Sequence, residues 1–136
     1  MIIGIGNDLT DIRRIEKLLE NFGDKFENKI FTKTERDYAN KKTTIINKAA
    51  TYAKRFAAKE AFLKAIGSGM RDGLSWHDME ITNDKNGKPE LSITGNTLKK
   101  LEYMTTKNTT INIFLSLSDE YPYAQAFVII DSVNNK

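Results

Sequence analysis

The sequence predicts an α+β fold in which an antiparallel sheet packs against one long buried helix and shorter N-terminal helices. Apolar residues repeat with a helical period in the first half of the chain and alternate as in strands in the second half. The 136 residues are enough to bury one core without disulfides. No repeat or linker divides the chain, so we expect a single domain over residues 1–136.

The first element is the apolar run Met1–Ile5, which predicts a short buried strand. A helix should follow it, capped by Thr10 or Asp11. Its apolar positions keep the 3.6-residue period: Ile12, Ile15, Leu18, Leu19 and Phe22. Gly23 ends this helix. A second short segment follows, with three large apolar residues: Phe26, Ile30 and Phe31.

Two further helices are marked by their ends. Residues Thr32 to Glu35 have the form of a capping box, so a helix should begin near Lys33. The longest helix should cover about residues 45–66, where alanine is frequent and neither proline nor glycine occurs. Gly67 is its natural C′ residue, because glycine readily adopts the left-handed conformation that ends a helix.

The second half of the chain predicts two hairpins and a short helix. The elements are, in order, strands over 79–82 and 91–94, a helix over 96–104, and strands over 111–118 and 123–130. The dipeptide Asn86–Gly87 is typical of a two-residue hairpin turn. The second turn falls at 119–122, and we expect the first strand of the chain to join this antiparallel sheet.

Composition excludes several functional classes. The chain has no cysteine and a single histidine, His77, so a thiolate metal site, a disulfide framework and a zinc site are not expected. No apolar run approaches the roughly 20 residues of a membrane span, and no signal peptide is visible. We therefore expect a cytoplasmic protein with no membrane partner.

Charge is unevenly distributed along the chain. The net charge is +3, and residues 1–72 carry 15 basic against 10 acidic side chains, whereas residues 73–136 carry 6 against 8. The basic half is compatible with a phosphorylated ligand, nucleic acid or an acidic protein, and also with a plain solvated surface. Nucleic acid is not the expected partner, because the predicted strands carry few basic residues.

Asp8 is the first candidate site residue. It follows Gly4–Ile5–Gly6 near the end of the predicted strand, a pattern that resembles a dinucleotide-binding loop. Leu9 stands where the third glycine of that loop should be, and the charge of Asp8 would oppose a pyrophosphate. An aspartate beside small residues at a strand end can hold Mg²⁺. The alternative role is a helix cap or turn residue.

The long helix supplies a second carboxylate. Glu60 and Lys64 lie on one helix face, in the same strip as Ala53 and Ala57. A carboxylate among alanines is costly to bury unless it is paired, although an exposed Glu–Lys pair is the commoner arrangement. Lys64 precedes Gly67-Ser68-Gly69 by one turn. The amides of that loop could bind an anion, or the loop could be a glycine cap followed by a flexible segment.

These candidates fit a pyrophosphate ligand only when a cation is present. A pyrophosphate diester carries about two negative charges, and Asp8 and Glu60 would add two more. Mg²⁺ together with Lys64 would bring such a site near neutrality.

Five stretches of the chain resemble the holo-[acyl-carrier-protein] synthase family, the small single-domain bacterial phosphopantetheinyl transferases. In order they are GIGNDLTDIRRIE, RFAAKEAFLKAIGSG, GLSWHDMEI, NGKPEL and LSLSDEYPYAQAFVII, and together they span nearly the whole chain. The resemblance implies transfer of 4′-phosphopantetheine from coenzyme A to a serine of apo-acyl carrier protein, with release of adenosine 3′,5′-bisphosphate. It also implies a role in fatty acid biosynthesis.

The resemblance assigns roles to individual residues. Asp8 and Glu60 would hold Mg²⁺ with the pyrophosphate of coenzyme A, and Lys64 would contact the phosphates. The positions expected to line the coenzyme A site are Arg55, Lys64, Gly67, Ser68, Gly69 and Pro89. Pro89 is usually supplied across a subunit boundary, because the family forms homotrimers with active sites at the interfaces. Arg14 matches a position that meets the acidic carrier protein.

The chain departs from the family pattern in one segment. Many relatives carry a histidine at each end of the segment that here runs from Phe114 to Asp119, so the contacts of those histidines are not carried over. Ser68 stands where threonine is common and keeps the hydroxyl. The alternative function is a Mg²⁺-dependent nucleotide pyrophosphohydrolase, which would use the same carboxylates with water as the nucleophile.

Overall fold

A three-stranded antiparallel sheet and one long helix form the centre of the computed structural model, which describes residues 1–136. The helices are α1 (Ile12–Phe22), α2 (Asp24–Ile30), α3 (Lys33–Asn40), α4 (Ile45–Ala65) and α5 (Gly95–Glu102). The strands are β1 (Ile2–Asp11), β2 (Met79–Asn83), β3 (Pro89–Ile93), β4 (Thr109–Glu120) and β5 (Tyr123–Asn134). The predicted α+β class is confirmed. None of the helices is both long and apolar enough to cross a membrane.

The central sheet has the strand order β1-β5-β4, and β2 and β3 form a separate hairpin. β1 therefore joins the C-terminal strands, as predicted. The expectation of a short buried strand was wrong, because β1 has ten residues and one exposed face. Ile5 and Leu9 on that face are 60% and 61% exposed. Asp8 consequently lies inside the strand, with Ala126 of β5 as its register partner.

Helix α4 packs across the inner face of the central sheet and is buried on several sides. Thr44 caps its first turn by accepting a hydrogen bond from the Asn47 amide at 3.1 Å. The last turn ends as predicted at Gly67, which has φ +69°. The Gly67 and Ser68 amides donate to Lys64 O and Leu63 O, respectively, which is the Schellman arrangement.

The N-terminal helices are tied to α4 by a buried ion pair. Lys59 Nζ donates to Glu35 Oε1 and to Ile30 O, both at 2.7 Å, and neither charged side chain is exposed. The predicted capping box is confirmed, because Thr32 and Glu35 exchange both hydrogen bonds. Glu35 therefore caps α3 and neutralises Lys59 at the same time, and its second oxygen accepts from the Ile81 amide.

The β2–β3 connection differs from the predicted two-residue turn. The Asp84 amide donates to Lys88 O, and the Gly87 amide donates back to Asp84 O. The loop between this pair has three residues, with Gly87 at φ +82°. The Asp84 carboxylate also accepts from the Asn86 and Lys88 amides. This capture of two backbone amides by one side chain favours the longer loop over the predicted turn.

Candidate active site

The two glycines of the N-terminal Gly-X-Gly allow β1 to contact α4 backbone to backbone. A Cβ at Gly6 would overlap the carbonyl of Ala61, and a Cβ at Gly4 would overlap that of Ala65. The glycines are thus required for packing, and they do not form the phosphate-binding loop that the spacing resembles. The close approach places Asp8, two residues further along β1, beside the C-terminal half of α4.

Asp8 receives a donor at each carboxylate oxygen. Lys64 Nζ donates to Asp8 Oδ1 at 3.1 Å and to Asn7 O at 3.0 Å. Thr10 Oγ1 donates to Asp8 Oδ2 at 3.0 Å. The Lys64 side chain is 56% exposed and that of Asp8 15% exposed, so the ion pair lies at the surface end of a mostly covered carboxylate. The structure therefore brings together two residues that the sequence placed 56 positions apart.

Glu60 lies in the same place and makes no hydrogen bond or ion pair. Its partial burial raises the pKa of its carboxyl, and the nearby Asp8 carboxylate raises that pKa further. Lys64 and Arg14 act in the opposite direction and lower it. The alternative arrangement, an exposed Glu60–Lys64 pair, is absent, because the Lys64 ammonium is directed to Asp8 instead. Two carboxylates that repel each other form a site that favours an added cation.

Arg14 on α1 lies next to these carboxylates. Its guanidinium carbon is 5.8 Å from the centroid of the Phe56 ring, one helical turn before Glu60 on α4. It also lines a shallow surface groove of about 530 Å³ on α1, together with Asp11, Arg13, Lys17, Leu18 and Asn21. The groove has three basic side chains and one acidic side chain. A positively charged surface therefore adjoins the carboxylate pair.

The loop after α4 offers fewer anion-binding amides than its sequence suggested. The amides of Gly67 and Ser68 already close the helix end, which leaves those of Gly69 and Met70 without an acceptor. The Ser68 hydroxyl donates to Gly69 O at 2.9 Å. The space beside Gly67 and Gly69 is open. The loop thus starts one turn beyond Lys64, with room for a ligand.

Arg55 and Pro89 do not meet Asp8, Glu60 and Lys64 within one chain. Arg55 is buried, its guanidinium lies 4.3 Å from the Tyr38 ring centroid, and its Nε has no hydrogen-bond partner. Burial lowers the pKa of the Arg55 guanidinium. Pro89 lines a groove of about 460 Å³ between β3 and the outer face of the central sheet.

The segment that departs from the family pattern has other partners in this chain. Phe114 is half-exposed and lines the same groove as Pro89. Asp119 forms an ion pair with Lys54 of α4, with Nζ 3.1 Å from Oδ1. At the second of the two family histidine positions, a carboxylate paired with a helix lysine therefore stands in place of an imidazole.

Thr10 and Lys59 are the residues whose roles the sequence did not indicate. Thr10 was considered only as a helix cap, and Asp11 is the cap, since its Oδ1 accepts from the Arg13 amide at 2.9 Å. The two-residue spacing from Asp8 was the available signal, because residues two apart on a strand share a face. Lys59 gave no signal, since a lysine beside a glutamate on a helix is ordinarily exposed.

Comparison with known proteins identifies the family to which the chain belongs. Residues 4–126 match the 4′-phosphopantetheinyl transferase superfamily. The holo-[acyl-carrier-protein] synthase of Phenylobacterium zucineum is 52% identical over 133 residues, which are 98% of this chain and 94% of that protein. The crystal structure of the Neisseria meningitidis synthase superposes with a TM-score of 0.80 at 37% identity, covering 96% of this chain and 99% of that one.

A third relative was solved with a bound ligand. The Bacillus anthracis holo-(acyl-carrier-protein) synthase in complex with CoA (3′,5′-ADP) has a TM-score of 0.75 at 35% identity, covering 96% of both chains. The chain belongs to the 4′-phosphopantetheinyl transferase superfamily. Within it, the chain is similar along nearly its whole length to the holo-[acyl-carrier-protein] synthases, which confirms the family and the enzyme class expected from the sequence.

Proposed function

We propose that this protein transfers 4′-phosphopantetheine from coenzyme A to a serine of apo-acyl carrier protein. The serine oxygen forms a bond to the phosphorus that carries the pantetheine. The bond from that phosphorus to the bridging oxygen of the pyrophosphate breaks, and adenosine 3′,5′-bisphosphate leaves. One observation carries the assignment: Asp8, Glu60 and Lys64 converge where β1 meets α4, in a chain similar throughout to holo-[acyl-carrier-protein] synthases.

The carboxylate pair fits a hard divalent cation. Glu60 has no partner of its own, and Asp8 Oδ1 already faces a positive charge, the Lys64 ammonium. No third acidic or histidine side chain completes a metal cage. Mg²⁺ suits such a set, because it is commonly held by one or two carboxylates plus substrate phosphates. Bound there by Asp8 and Glu60, Mg²⁺ would supply neutralisation of the charge on the pyrophosphate.

Lys64 is placed to change partners when the substrate arrives. Its side chain is more than half exposed, so its ammonium can leave Asp8 Oδ1 and reach a phosphate oxygen. There it would stabilise the negative charge that grows on the leaving phosphate in the transition state. The serine proton would pass to Glu60 or to a water molecule. Binding of the cation would make Glu60 a weaker base than a free carboxylate.

Coenzyme A is proposed to lie beside the loop that follows α4. Gly67, Ser68 and Gly69 would line its phosphates near Lys64, in the open space that the two glycines leave. Arg55 and Pro89 would contact more distant parts of the same molecule. Neither residue reaches the carboxylates within one chain, so their participation requires an extended ligand, a second subunit, or both.

A homotrimer is the assembly that we propose for this chain. The outer face of the central sheet exposes the large apolar side chains of Ile5, Leu9, Phe114 and Phe127. A face with several exposed large apolar side chains is typical of a surface covered by a partner. The Pro89 groove opens on this face, next to Phe114 and Phe127. Association there would bring Pro89 of one subunit towards the site of a neighbour.

The carrier protein is proposed to dock on α1. The groove around Arg14 is basic and adjoins Glu60, so an acidic partner bound there would present its serine to the site. We place this reaction in the cytoplasm, as a step of fatty acid biosynthesis.

Intact-mass measurement of the carrier protein tests the proposal. Incubation of apo-acyl carrier protein with coenzyme A, Mg²⁺ and this chain should add one phosphopantetheine, and EDTA should prevent the addition. Asp8→Asn and Glu60→Gln should each abolish it, with Glu102→Gln, an exposed substitution on α5, as the matched control. If the carrier protein stays unmodified, and if bisphosphate is also released from coenzyme A in an incubation without carrier protein, the result would instead support the pyrophosphohydrolase.

A further inference from the structure

The Asp8 carboxylate is held by a residue of its own strand. Thr10 Oγ1 donates to Asp8 Oδ2 at 3.0 Å, and this is the one hydrogen bond that the Thr10 side chain makes. Thr10 is only 3% exposed. A buried hydroxyl costs free energy unless it is hydrogen-bonded, and valine would fill the same volume without that cost. The hydroxyl of Thr10 therefore serves Asp8 rather than the packing of the core.

The strand geometry makes this pairing specific. Residues 8 and 10 project from the same face of β1, towards α4, because side chains two apart on a strand share a face. Their register partners on β5 are Ala126 and Ala124, which are fully buried and carry no polar side-chain atom. Neither partner on β5 therefore offers the Thr10 hydroxyl a side-chain acceptor, and Asp8 provides one.

The two donors to Asp8 differ in permanence. Thr10 is buried near the end of the edge strand β1, where only 3% of it is exposed, whereas the Lys64 side chain is 56% exposed and free to move. With Oδ2 engaged by Thr10, Oδ1 is the oxygen left for a cation, and the Lys64 ammonium occupies that position at 3.1 Å. The arrangement presents one defined oxygen of Asp8 to a positive charge.

We propose that Thr10 is a positioning residue, whose hydroxyl fixes the Asp8 carboxylate so that Oδ1 is presented to a divalent cation. This inference rests on the proposed function, in which Asp8 and Glu60 hold Mg²⁺. A residue that hydrogen-bonds to a metal ligand raises the affinity for the metal, because a ligand that rotates freely loses orientational entropy when the metal binds. Loss of such a residue typically weakens metal affinity about 10- to 100-fold. We expect about tenfold here, since one of several contacts is removed.

Direct metal binding tests the proposal without relying on turnover. Mn²⁺, a hard cation visible by EPR, is titrated into the full chain in the presence of coenzyme A. Thr10→Val and Thr10→Ala, which both remove the hydroxyl, should weaken Mn²⁺ binding about tenfold. Thr10→Ser, which keeps the hydroxyl, should bind Mn²⁺ as the wild type does. The matched control is Thr51→Val, because Thr51 is also buried but donates to a backbone carbonyl, Asn47 O, at 2.8 Å.

The outcomes separate this inference from the proposed function. Asp8→Asn serves as the reference for how much of the Mn²⁺ binding depends on the Asp8 carboxylate. Should Asp8→Asn bind Mn²⁺ as tightly as the wild type, the metal site itself is wrong. Should Asp8→Asn lose binding while Thr10→Val and Thr10→Ala keep wild-type affinity, only the positioning role is overturned. Thermal melting of each variant shows whether the fold is intact. Thr10→Val keeps the volume of threonine and Thr10→Ala does not, so equal losses of Mn²⁺ affinity in both point to the missing hydroxyl rather than to a packing defect.

Discussion

The Lys64 ammonium lies 3.1 Å from Asp8 Oδ1, across the seam between β1 and α4. Because Thr10 occupies the other oxygen, the proposed divalent cation would compete with the ammonium for the same position on Asp8. The competition has a functional consequence. In the proposed mechanism, metal binding would release Lys64, and the released ammonium would then be available to the phosphates of the substrate.

Lys64→Met tests this competition. Removal of the ammonium frees Asp8 Oδ1 and takes one positive charge from the site. Mg²⁺ should therefore bind the substrate-free chain several-fold more tightly, which is the order of magnitude of a screened interaction between two neighbouring charges. Transfer to the carrier protein should nevertheless fall about 10²-fold, because the transition state loses its lysine. Calorimetry and the mass assay measure the two effects. Lys107→Met, on an exposed loop, is the control, and weaker metal binding by Lys64→Met would contradict the model of exchange.

Glu60 should make metal-free stability depend on pH. Burial and the Asp8 carboxylate raise the pKa of Glu60, so its ionised form destabilises the fold. This cost is present above the folded-state pKa of Glu60, and it disappears as the pH falls through that pKa to below the ordinary carboxyl pKa of 4.5. Glu60→Gln should therefore melt at a higher temperature than the wild type at about pH 8, in EDTA, and the difference should shrink on acidification. An unchanged difference across this range would mean that Glu60 is not perturbed.

Gly6→Ala should separate β1 from α4. The added methyl would overlap the Ala61 carbonyl and lie 2.9 Å from the Ala65 amide, and neither backbone can move alone. We expect a loss of at least about 2 kcal/mol in the free energy of unfolding. Gly69→Ala, in open space after α4, should stay within about 0.5 kcal/mol of the wild type. Urea unfolding measures both, and equal stability of the two variants would contradict the packing role of Gly6.

The Lys59–Glu35 pair should be costly to break from one side. Lys59→Met leaves a buried carboxylate without its cation and should destabilise the chain by about 3–5 kcal/mol. The double variant Lys59→Met, Glu35→Gln should recover part of this loss, since no unpaired charge then remains. Chemical unfolding of Lys59→Met, of Glu35→Gln and of the double variant gives the coupling free energy between the two side chains. Additive losses would show that the two side chains do not stabilise each other.

Arg14→Gln should weaken docking of the carrier protein. The KM for apo-acyl carrier protein should rise about three- to tenfold, because an exposed interfacial charge mainly governs encounter with an oppositely charged partner. The KM for coenzyme A should stay close to the wild-type value, and the difference between the variants should diminish at high salt. Steady-state kinetics with each substrate varied in turn makes the distinction, with Lys107→Gln as the control. A change in the KM for coenzyme A alone would place Arg14 elsewhere.

The elements that the sequence predicted best are those specified by neighbouring residues. The capping box at Thr32 and Glu35 and the helix end at Gly67 depend on side chains within one turn, and both appear as expected. The prediction of a two-residue β2–β3 turn was wrong for a similarly local reason. The Asn86–Gly87 dipeptide was given more weight than Asp84, whose carboxylate binds two amides of the loop.

The sequence by itself determined the fold class, the family, and the residue types of the site: two carboxylates and a lysine in recognisable motifs. Only the tertiary structure decided how they meet. Lys64 pairs with Asp8 rather than with Glu60, its neighbour on the helix. The reason is physical: the glycines of β1 let two backbones touch, and the distance between strand and helix then sets which side chains reach each other. No spacing along the chain encodes that distance.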